Sequence, residues 1–356
     1  MTIFNITSRS TISNARTGKL IVNNIELETP LFLPVATIGT VKSLSFEDLK
    51  LIGFPAIIVN VLHLSERPGT EIIENHGGLK NFINWNGIVF GDSGGFQLIR
   101  NFDMKVIDEG IVYKSPFNGT TRLITPEYIS EINESMKIDV RMILDYCPKK
   151  YDDYETVKNA VYITSNWAKR FINFARNTRH EALNFAICQG GIFTDLRKQS
   201  ISDLNQLDFD GFGVGGLSIG EPHDKMFDAL RVSCLELPVE KPRYFMGLGS
   251  TDDIIESVRL GVDIFDSTYP TRCARHGTVL TKNGSYNLGN RDLLNKKEPL
   301  EENCSCFTCK NYSKGYVNHL FREKELTSMR LITIHNLSYM HGFFEEIRER
   351  IRVGTL

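Results

Sequence analysis

Gly87-Ile88-Val89-Phe90-Gly91-Asp92-Ser93-Gly94-Gly95-Phe96-Gln97 is the stretch on which the fold turns. A short apolar run, Gly87–Phe90, gives way to a carboxylate and a pair of glycines. Continuous rather than alternating hydrophobicity marks a strand covered on both faces. The pattern recurs at Leu31–Val35, Ala56–Asn60, Val140–Leu144, Asn184–Cys188, Gly211–Val214, Arg243–Met246 and Val262–Phe265. Segments of helical periodicity lie between: Ser45–Ile52, Thr125–Met136, Tyr154–Asn177, Leu196–Gln206, Asp224–Cys234 and Asp252–Leu260. Thr125-Pro126-Glu127 is a good helix start, a capping hydroxyl followed by proline at the first helical position. Strand and helix repeated eight times predict an α/β fold, a closed (β/α)8 TIM barrel. No G-x-G-x-x-G opens the first unit, which argues against an open doubly wound sheet.

Length agrees. A barrel of about 250 residues leaves about 100 of the chain's 356 for flanking segments. With 41% hydrophobic and 24% charged residues, a disordered, collagenous or disulfide-scaffold protein is excluded. A formal net charge of −2 excludes partner choice by bulk charge, though not a local basic patch. No apolar stretch approaches the ~18 residues of a membrane span. Met1-Thr2-Ile3-Phe4-Asn5 lacks a signal peptide's basic start and apolar core. The expectation is a soluble cytoplasmic protein with no membrane partner.

In a TIM barrel the C-terminal strand ends converge on one face, where active sites sit. Asn60 and His63, Asp92, Asp145, Gln189-Gly190-Gly191, Gly215-Gly216-Leu217, Gly247-Leu248-Gly249 and Asp266 all follow apolar runs. A lone Asp at such a place merely caps the next helix. Three at equivalent positions predict a pocket in which carboxylates divide the work of nucleophile and acid–base. Glycoside chemistry uses such a pair against an oxocarbenium-like transition state. Gly94-Gly95 and Gly215-Gly216 let backbone N–H groups approach a ligand, and Phe96 and Met246 suit the faces of a flat one.

Cys304-Ser305-Cys306-Phe307-Thr308-Cys309 has the spacing of three corners of a tetrahedral, structural zinc site. Spacing leaves His319, His335 and His341 open as the fourth corner. The expected division is 1–30 as an N-terminal extension, 31–284 as the catalytic barrel, and 285–356 as a zinc-binding subdomain with a C-terminal helix. Arg272, Arg275, His276 and Lys282 follow Asp266, and Lys149-Lys150 follow Asp145, as a cationic rim able to hold phosphates.

Taken together these residues resemble the bacterial-type tRNA-guanine transglycosylases, the queuine tRNA-ribosyltransferase family. The likeness runs from about Leu31 to His341. It includes Asp92–Gln97, Val41-Lys42, Arg67-Pro68-Gly69, Gly77-Gly78-Leu79, Gln189-Gly190, Val214–Leu217, Tyr244–Gly247, Phe265-Asp266, Pro270-Thr271-Arg272 and the cysteine cluster with His335-Asn336. The resemblance implies Asp266 as the nucleophile on the wobble guanosine ribose and Asp92 as the acid–base group that also binds the base. Ser93, Gly94, Gly95, Asp145, Gln189, Gly216 and Leu217 would line the base, with Phe96 and Met246 sandwiching it.

Zinc would sit on Cys304, Cys306, Cys309 and His335. RNA contacts would come from Gly247, Leu248, Gly249, Ser250, Thr251, Asp252 and Asp253, and from Thr271, Arg272, Cys273, Ala274 and Arg275. The implied partners are tRNA with a wobble guanine, a 7-deazaguanine base and a second copy in a homodimer. Ile219 stands where queuine users of the family carry glycine, which implies the smaller 7-aminomethyl-7-deazaguanine rather than queuine; the 7-cyano base is the other alternative. The sequence departs from the family at Val61-Leu62, Gly91, Ser267-Thr268-Tyr269 and Cys273. Competing classes are a barrel glycoside hydrolase and a zinc-stabilised RNA-binding protein without activity.

Overall fold

The chain begins with a three-stranded antiparallel sheet, β1 (Phe4–Arg9), β2 (Arg16–Val22) and β3 (Ile25–Thr29), where the sequence suggested only an extension. Val22 pairs with Ile25, so Asn23-Asn24 form a two-residue hairpin loop with φ of 48° and 63°. Asparagine tolerates that left-handed backbone. The computed structural model describes residues 3–101, 104–115, 119–149, 151, 153–176 and 181–356. Met1, Thr2, Lys150 and Asn177, used in the sequence analysis, lie outside the described residues.

Each of the eight apolar runs is a parallel strand. Their ranges are β4 (Leu31–Pro34), β5 (Ala56–Asn60), β6 (Ile88–Asp92), β10 (Val140–Met142), β11 (Leu183–Cys188), β12 (Gly211–Val214), β13 (Arg243–Phe245) and β14 (Ile264–Ser267). Between β6 and β10 is an antiparallel meander, β7 (Met104–Ile107), β8 (Gly110–Lys114) and β9 (Thr121–Ile124). A hairpin, β15 (Thr278–Thr281) and β16 (Gly284–Asn287), follows β14. The sheet runs in the order β4-β14-β13-β12-β11-β10-β6-β5, and a parallel bridge from Val35 to Ile58 joins its ends. Phe90, Phe185 and Tyr244 fill the interior edge-to-face, with ring centroids 6.2 and 6.4 Å apart.

Helices cover the outside as the periodicity predicts. Pro126–Met136 starts from the Thr125 cap with proline in its first turn, and Tyr154–Ala175, Thr194–Asn205, His223–Glu236 and Thr251–Arg259 follow β10, β11, β12 and β13. The last helix, Leu326–Arg352, serves two cores. Its first half packs Leu331 and Ile332 on a small cluster with Ala274, Val279, Leu288, Leu300 and Val317. Its second half lays Phe344 on Phe32 and Phe265, 5.8 and 5.7 Å between centroids. One continuous helix thus joins the cysteine region to the two barrel strands β4 and β14. Among the described residues, no helix is long and apolar enough to cross a membrane.

Charges at the bottom of the barrel are spent on structure. Asp263, just before β14, accepts Arg16 Nε at 2.9 Å and Nη2 at 2.6 Å, and the Arg243 N–H at 2.8 Å. Asp139, just before β10, accepts Asn23 Nδ2, Lys80 Nζ and the Val89 N–H. Both buried carboxylates are matched, as a buried charge requires.

Candidate active site

The carboxylates at the opposite face are treated differently. Strand β6 extends to Asp92, and the parallel register sets Asp92 beside Asn60 at the end of β5. Asp145 lies three residues beyond β10, and Asp266 lies within β14. Gln189, immediately after β11, donates from Nε2 to Asp145 Oδ2 at 2.6 Å. Gln97 Nε2 lies 3.2 Å from Asp92 Oδ2. Asp266 Oδ1 accepts the Tyr244 hydroxyl at 2.6 Å and the Gly247 N–H at 2.8 Å. Both bonds fall on one oxygen, leaving Oδ2 without a protein donor among the described residues. None of the three acids makes an ion pair with a described cation, in contrast with Asp139 and Asp263.

Their proton affinities follow from this. Burial pushes Asp92 up to about 6, with the Asp266 charge adding to it and the Gln97 amide partly offsetting it. Burial, then the charge of Asp92, pushes Asp145 up to about 7. Burial raises Asp266 too, against the opposing bonds from Tyr244 and Gly247. An acid whose pKa is higher folded than unfolded favours the native state while protonated in both. That contribution is complete below about pH 4 and disappears as pH rises through 6 to 7. The three acids are therefore held against the stability of the chain at neutral pH, as is usual where acids are arranged for chemistry.

Tyr244 is the residue the sequence analysis passed over. A tyrosine inside an apolar strand reads as core, and it is buried; only the neighbouring strand shows that its hydroxyl meets Asp266. Removing that hydroxyl with Tyr244→Phe strips one donor from a carboxylate that burial already disfavours. A bond to a charged group contributes about 1.5–3 kcal/mol, so turnover is expected to fall roughly 10- to 100-fold. Base affinity should stay as in the parent, because the Asp145–Gln189 pair is untouched. Steady-state rates and equilibrium base binding on the same protein check both halves.

Glycines shape the walls. Gly94 has φ of 82°, and a Cβ there would stand 2.8 Å from Asn60 Oδ1. Gly216 has φ of 67°, and its Cβ would stand 2.4 Å from Gln189 Oε1. Gly95 passes close under the Asp145 backbone, and Ser93 is buried, its Oγ accepting the Gly95 N–H. Phe96 is exposed, Met246 half-buried and Leu217 buried. The sequence-selected base-site residues therefore gather at one end of the barrel.

The two segments expected to touch RNA are less uniform. Gly247 is exposed and tied to Asp266, whereas Leu248 and Gly249 are buried. Ser250 caps the helix Thr251–Arg259 through the Asp253 N–H, Asp253 pairs with His223 at 2.7 Å, Thr251 is half-buried, and Asp252 is exposed. In the second segment Thr271 and Ala274 are buried, Cys273 and Arg275 half-buried, and Arg272 exposed. Arg275 donates to Thr271 Oγ1 at 3.3 Å, so Arg272 is the cation of that segment turned fully to solvent. Lys149, His276 and Lys282 are also exposed.

Two of the departures, Val61 and Gly91, are neighbours in space. A Cβ on Gly91 would lie 2.9 Å from Val61 Cγ1 and 2.7 Å from Asn133 Oδ1. Val61 and the absent side chain at position 91 are two sides of one packing solution. Likewise a Cβ on Gly249 would lie 2.5 Å from Ser267 Oγ and from Tyr269 Cβ.

At the cysteine cluster, Cys304, Cys306 and Cys309 Sγ lie 3.6, 3.7 and 3.4 Å from His335 Nδ1. All four candidate ligand atoms are within 4.8 Å of one another. Tetrahedral geometry with Zn–S of about 2.3 Å and Zn–N of about 2.0 Å requires S···N of about 3.5 Å. The residues fit a metal ion. His335 Nε2 lies 2.8 Å from Leu280 O, which sets the tautomer leaving Nδ1 free to ligate. Of the other two histidines left open by spacing, His319 is exposed and His341 packs edge-on against Phe54.

Unpaired carboxylates at the C-terminal mouth of a parallel barrel place the chain among the (β/α)8 enzymes, since chemistry in this fold is done there. Comparison with known proteins narrows that class. The family model described as queuine tRNA-ribosyltransferase matches residues 11–356, and the chain belongs to that family. It is 43% identical over 354 residues to the queuine tRNA-ribosyltransferase of Thermoanaerobacter sp. (strain X514), covering 99% of this chain and 94% of that one. It is equally 43% identical to the Thermotoga maritima protein of the same name, over 98% of this chain and 94% of that one. The Dictyoglomus turgidum protein is 42% identical, with coverage of 99% and 92%. The chain is thus a pentosyltransferase of the tRNA-modifying type.

Proposed function

We propose that this protein exchanges the wobble guanine of tRNAs with GUN anticodons for 7-aminomethyl-7-deazaguanine, within queuosine biosynthesis. The observation that carries the reading is the set of three carboxylates, Asp92, Asp145 and Asp266, each hydrogen-bonded but none neutralised by a described cation. Asp266 attacks C1′ of the ribose through Oδ2 while Tyr244 and Gly247 hold Oδ1. The C1′–N9 bond breaks with its electron pair on the purine, and Asp92 supplies the proton. The incoming base then gives its N9 proton to Asp92 and attacks C1′, which returns the Asp266 carboxylate. One N-glycosidic bond replaces another, so no ATP is needed. Water must be kept from the intermediate.

Asp145 and Gln189 would accept from and donate to the purine edge, as flipped bases are read. Ionised Asp145 accepts a donor on each oxygen, whereas protonation turns one of them into a donor. Base affinity is therefore expected to strengthen as pH rises through about 7, with proton release, and Asp145→Asn to bind weakly with no such dependence. Titration of base binding between pH 5.5 and 8.5 checks the sign; affinity that falls with rising pH is the contrary result.

Cys304, Cys306, Cys309 and His335 would hold zinc, whose role is to cross-link the loop to the last helix. Ile219 supports the smaller base. The cationic rim, with Arg272 foremost, suits anticodon-arm phosphates. A homodimer in the cytoplasm, with units at 1–30, 31–284 and 285–356, completes the proposal. The deciding experiment offers guanine-loaded tRNA with 7-aminomethyl-7-deazaguanine, the 7-cyano base or queuine in competition. Exchange favouring the first supports the reading. Preferential uptake of either other base overturns the choice of base. Release of guanine without any acceptor base marks a hydrolase, and RNA binding without exchange marks a binding protein.

A further inference from the structure

The helix Thr194–Asn205 carries a cation that the chemistry above does not use. Arg197 is fully buried, and among the described residues no carboxylate pairs with it. Its Nε donates to Gly191 O at 2.9 Å, and its Nη1 to Cys188 O at 3.2 Å and Gly215 O at 2.8 Å. Those carbonyls belong to the two turns, after β11 and after β12, that carry Gln189 and Gly216. Ser200, on the same helix, accepts the Gln189 N–H at 3.0 Å. Gly190 lies so close to the helix that a Cβ would stand 2.7 Å from the Arg197 backbone nitrogen. Arg197 Nη2 and Gln189 Oε1 are both buried without a hydrogen-bond partner among the described residues. A Cβ on Gly216 would stand 3.8 Å from the first and 2.4 Å from the second. Burying a guanidinium with no carboxylate paired to it is costly, and backbone carbonyls, the Cys188 thiol and the more distant charge of Glu221 compensate it only in part.

We propose that Arg197 is a positioning residue that locks the Gln189 and Gly216 turns together and lends its charge to the purine as it leaves. The inference rests on the base-exchange reading above. Its bond to Gly215 O polarises the very peptide whose N–H belongs to Gly216, which strengthens that donor toward a purine carbonyl. As the C1′–N9 bond breaks, the pair passes to the purine and negative charge spreads onto its carbonyl oxygen until Asp92 delivers the proton. A fixed cation behind a dry wall favours that charge over the neutral nucleoside without touching it. Arginine suits the place because one planar fork reaches both turns at once.

The test compares Arg197→Met and Arg197→Lys with the parent, all with unchanged zinc content. Single-turnover adduct formation is measured on two tRNAs, one carrying guanine at the wobble position and one carrying 7-deazaguanine, the poorer leaving base. Equilibrium binding of free 7-aminomethyl-7-deazaguanine is measured alongside. For Arg197→Met, adduct formation is expected to fall on the order of 10- to 100-fold on guanine tRNA and further on the 7-deazaguanine tRNA. For Arg197→Lys, which keeps charge but not the fork, base binding weakens while the ratio between the two tRNAs stays near the parent's. Equal losses on both tRNAs overturn the role of charge, and parental base affinity in Arg197→Lys overturns the role of the fork. If Arg197→Met does not fold, Arg197→Gln, which also removes the charge but keeps a hydrogen-bonding amide, takes its place in the comparison of the two tRNAs, and Arg197→Lys still decides the role of the fork. A parent protein that forms no adduct overturns base exchange itself, a result distinct from either.

Discussion

Asp266→Asn is expected to abolish base exchange, with turnover reduced by at least about 10⁴-fold and no RNA adduct surviving denaturation. The substitution keeps shape. Asparagine Oδ1 can accept the Tyr244 hydroxyl and the Gly247 N–H, so the architecture around it persists. What disappears is the charge, and with it the proposed nucleophile. Because burial already disfavours that charge, the variant should melt at or above the parent temperature. Asp92 should also titrate lower than about 6, since one of the influences raising it has been removed. Loss of activity with a raised melting point separates a catalytic role from a structural one. Exchange at the parental rate would sink the covalent mechanism whatever the melting point.

Removing the proposed zinc is expected to have the largest effect on stability. The core beneath the cysteine loop is small: seven buried residues, Ala274, Val279, Leu288, Leu300, Val317, Leu331 and Ile332, with a rim of partly buried ones such as Tyr286 and Phe321, and a core of that size gains from a cross-link. A structural Cys3His zinc contributes about 10 kcal/mol at neutral pH. Chelation, or Cys306→Ser, should therefore split the melting transition, with the C-terminal part unfolding on the order of 10 °C or more below the barrel. The second half of the last helix should stay in place, because Phe344 is anchored on Phe32 and Phe265. Asn336, next to His335, donates to Pro270 O and Thr278 O and so ties the last helix to the segment bearing Arg272. Affinity for tRNA should then fall while affinity for the free base is retained. Unchanged melting after verified metal loss would show that the cluster is no cross-link.

The barrel was legible because parallel strands buried on both faces need unbroken apolar runs, and Ala56–Asn60 or Gly211–Val214 serve no other purpose. Asp92, Asp145 and Asp266 were legible for the complementary reason, since a carboxylate directly after such a run must lie at its end. The N-terminal sheet was overlooked, although Asn23-Asn24 between two strand-like segments is a hairpin signal. Arg197 looks like any charge on a surface helix, and Val61 and Gly91 look like unrelated departures thirty positions apart. Each acquires meaning from a neighbour that is distant in the chain.

The amino-acid order alone determined the barrel, the carboxylate-bearing end and the three cysteines, because period, punctuation and spacing are local properties of a chain. Tertiary structure decided which histidine completes the cysteine cluster, which oxygen of Asp266 is held and by whom, and which buried charges are matched. Sequence places Asp139 and Asp263 at the starts of their apolar runs and Asp92 and Asp145 after theirs, but it does not show what partners any of them meets. Folding brings cations and amides to the first pair and leaves the second to one another and to amides, and in a medium of low dielectric that difference separates a structural acid from a reactive one.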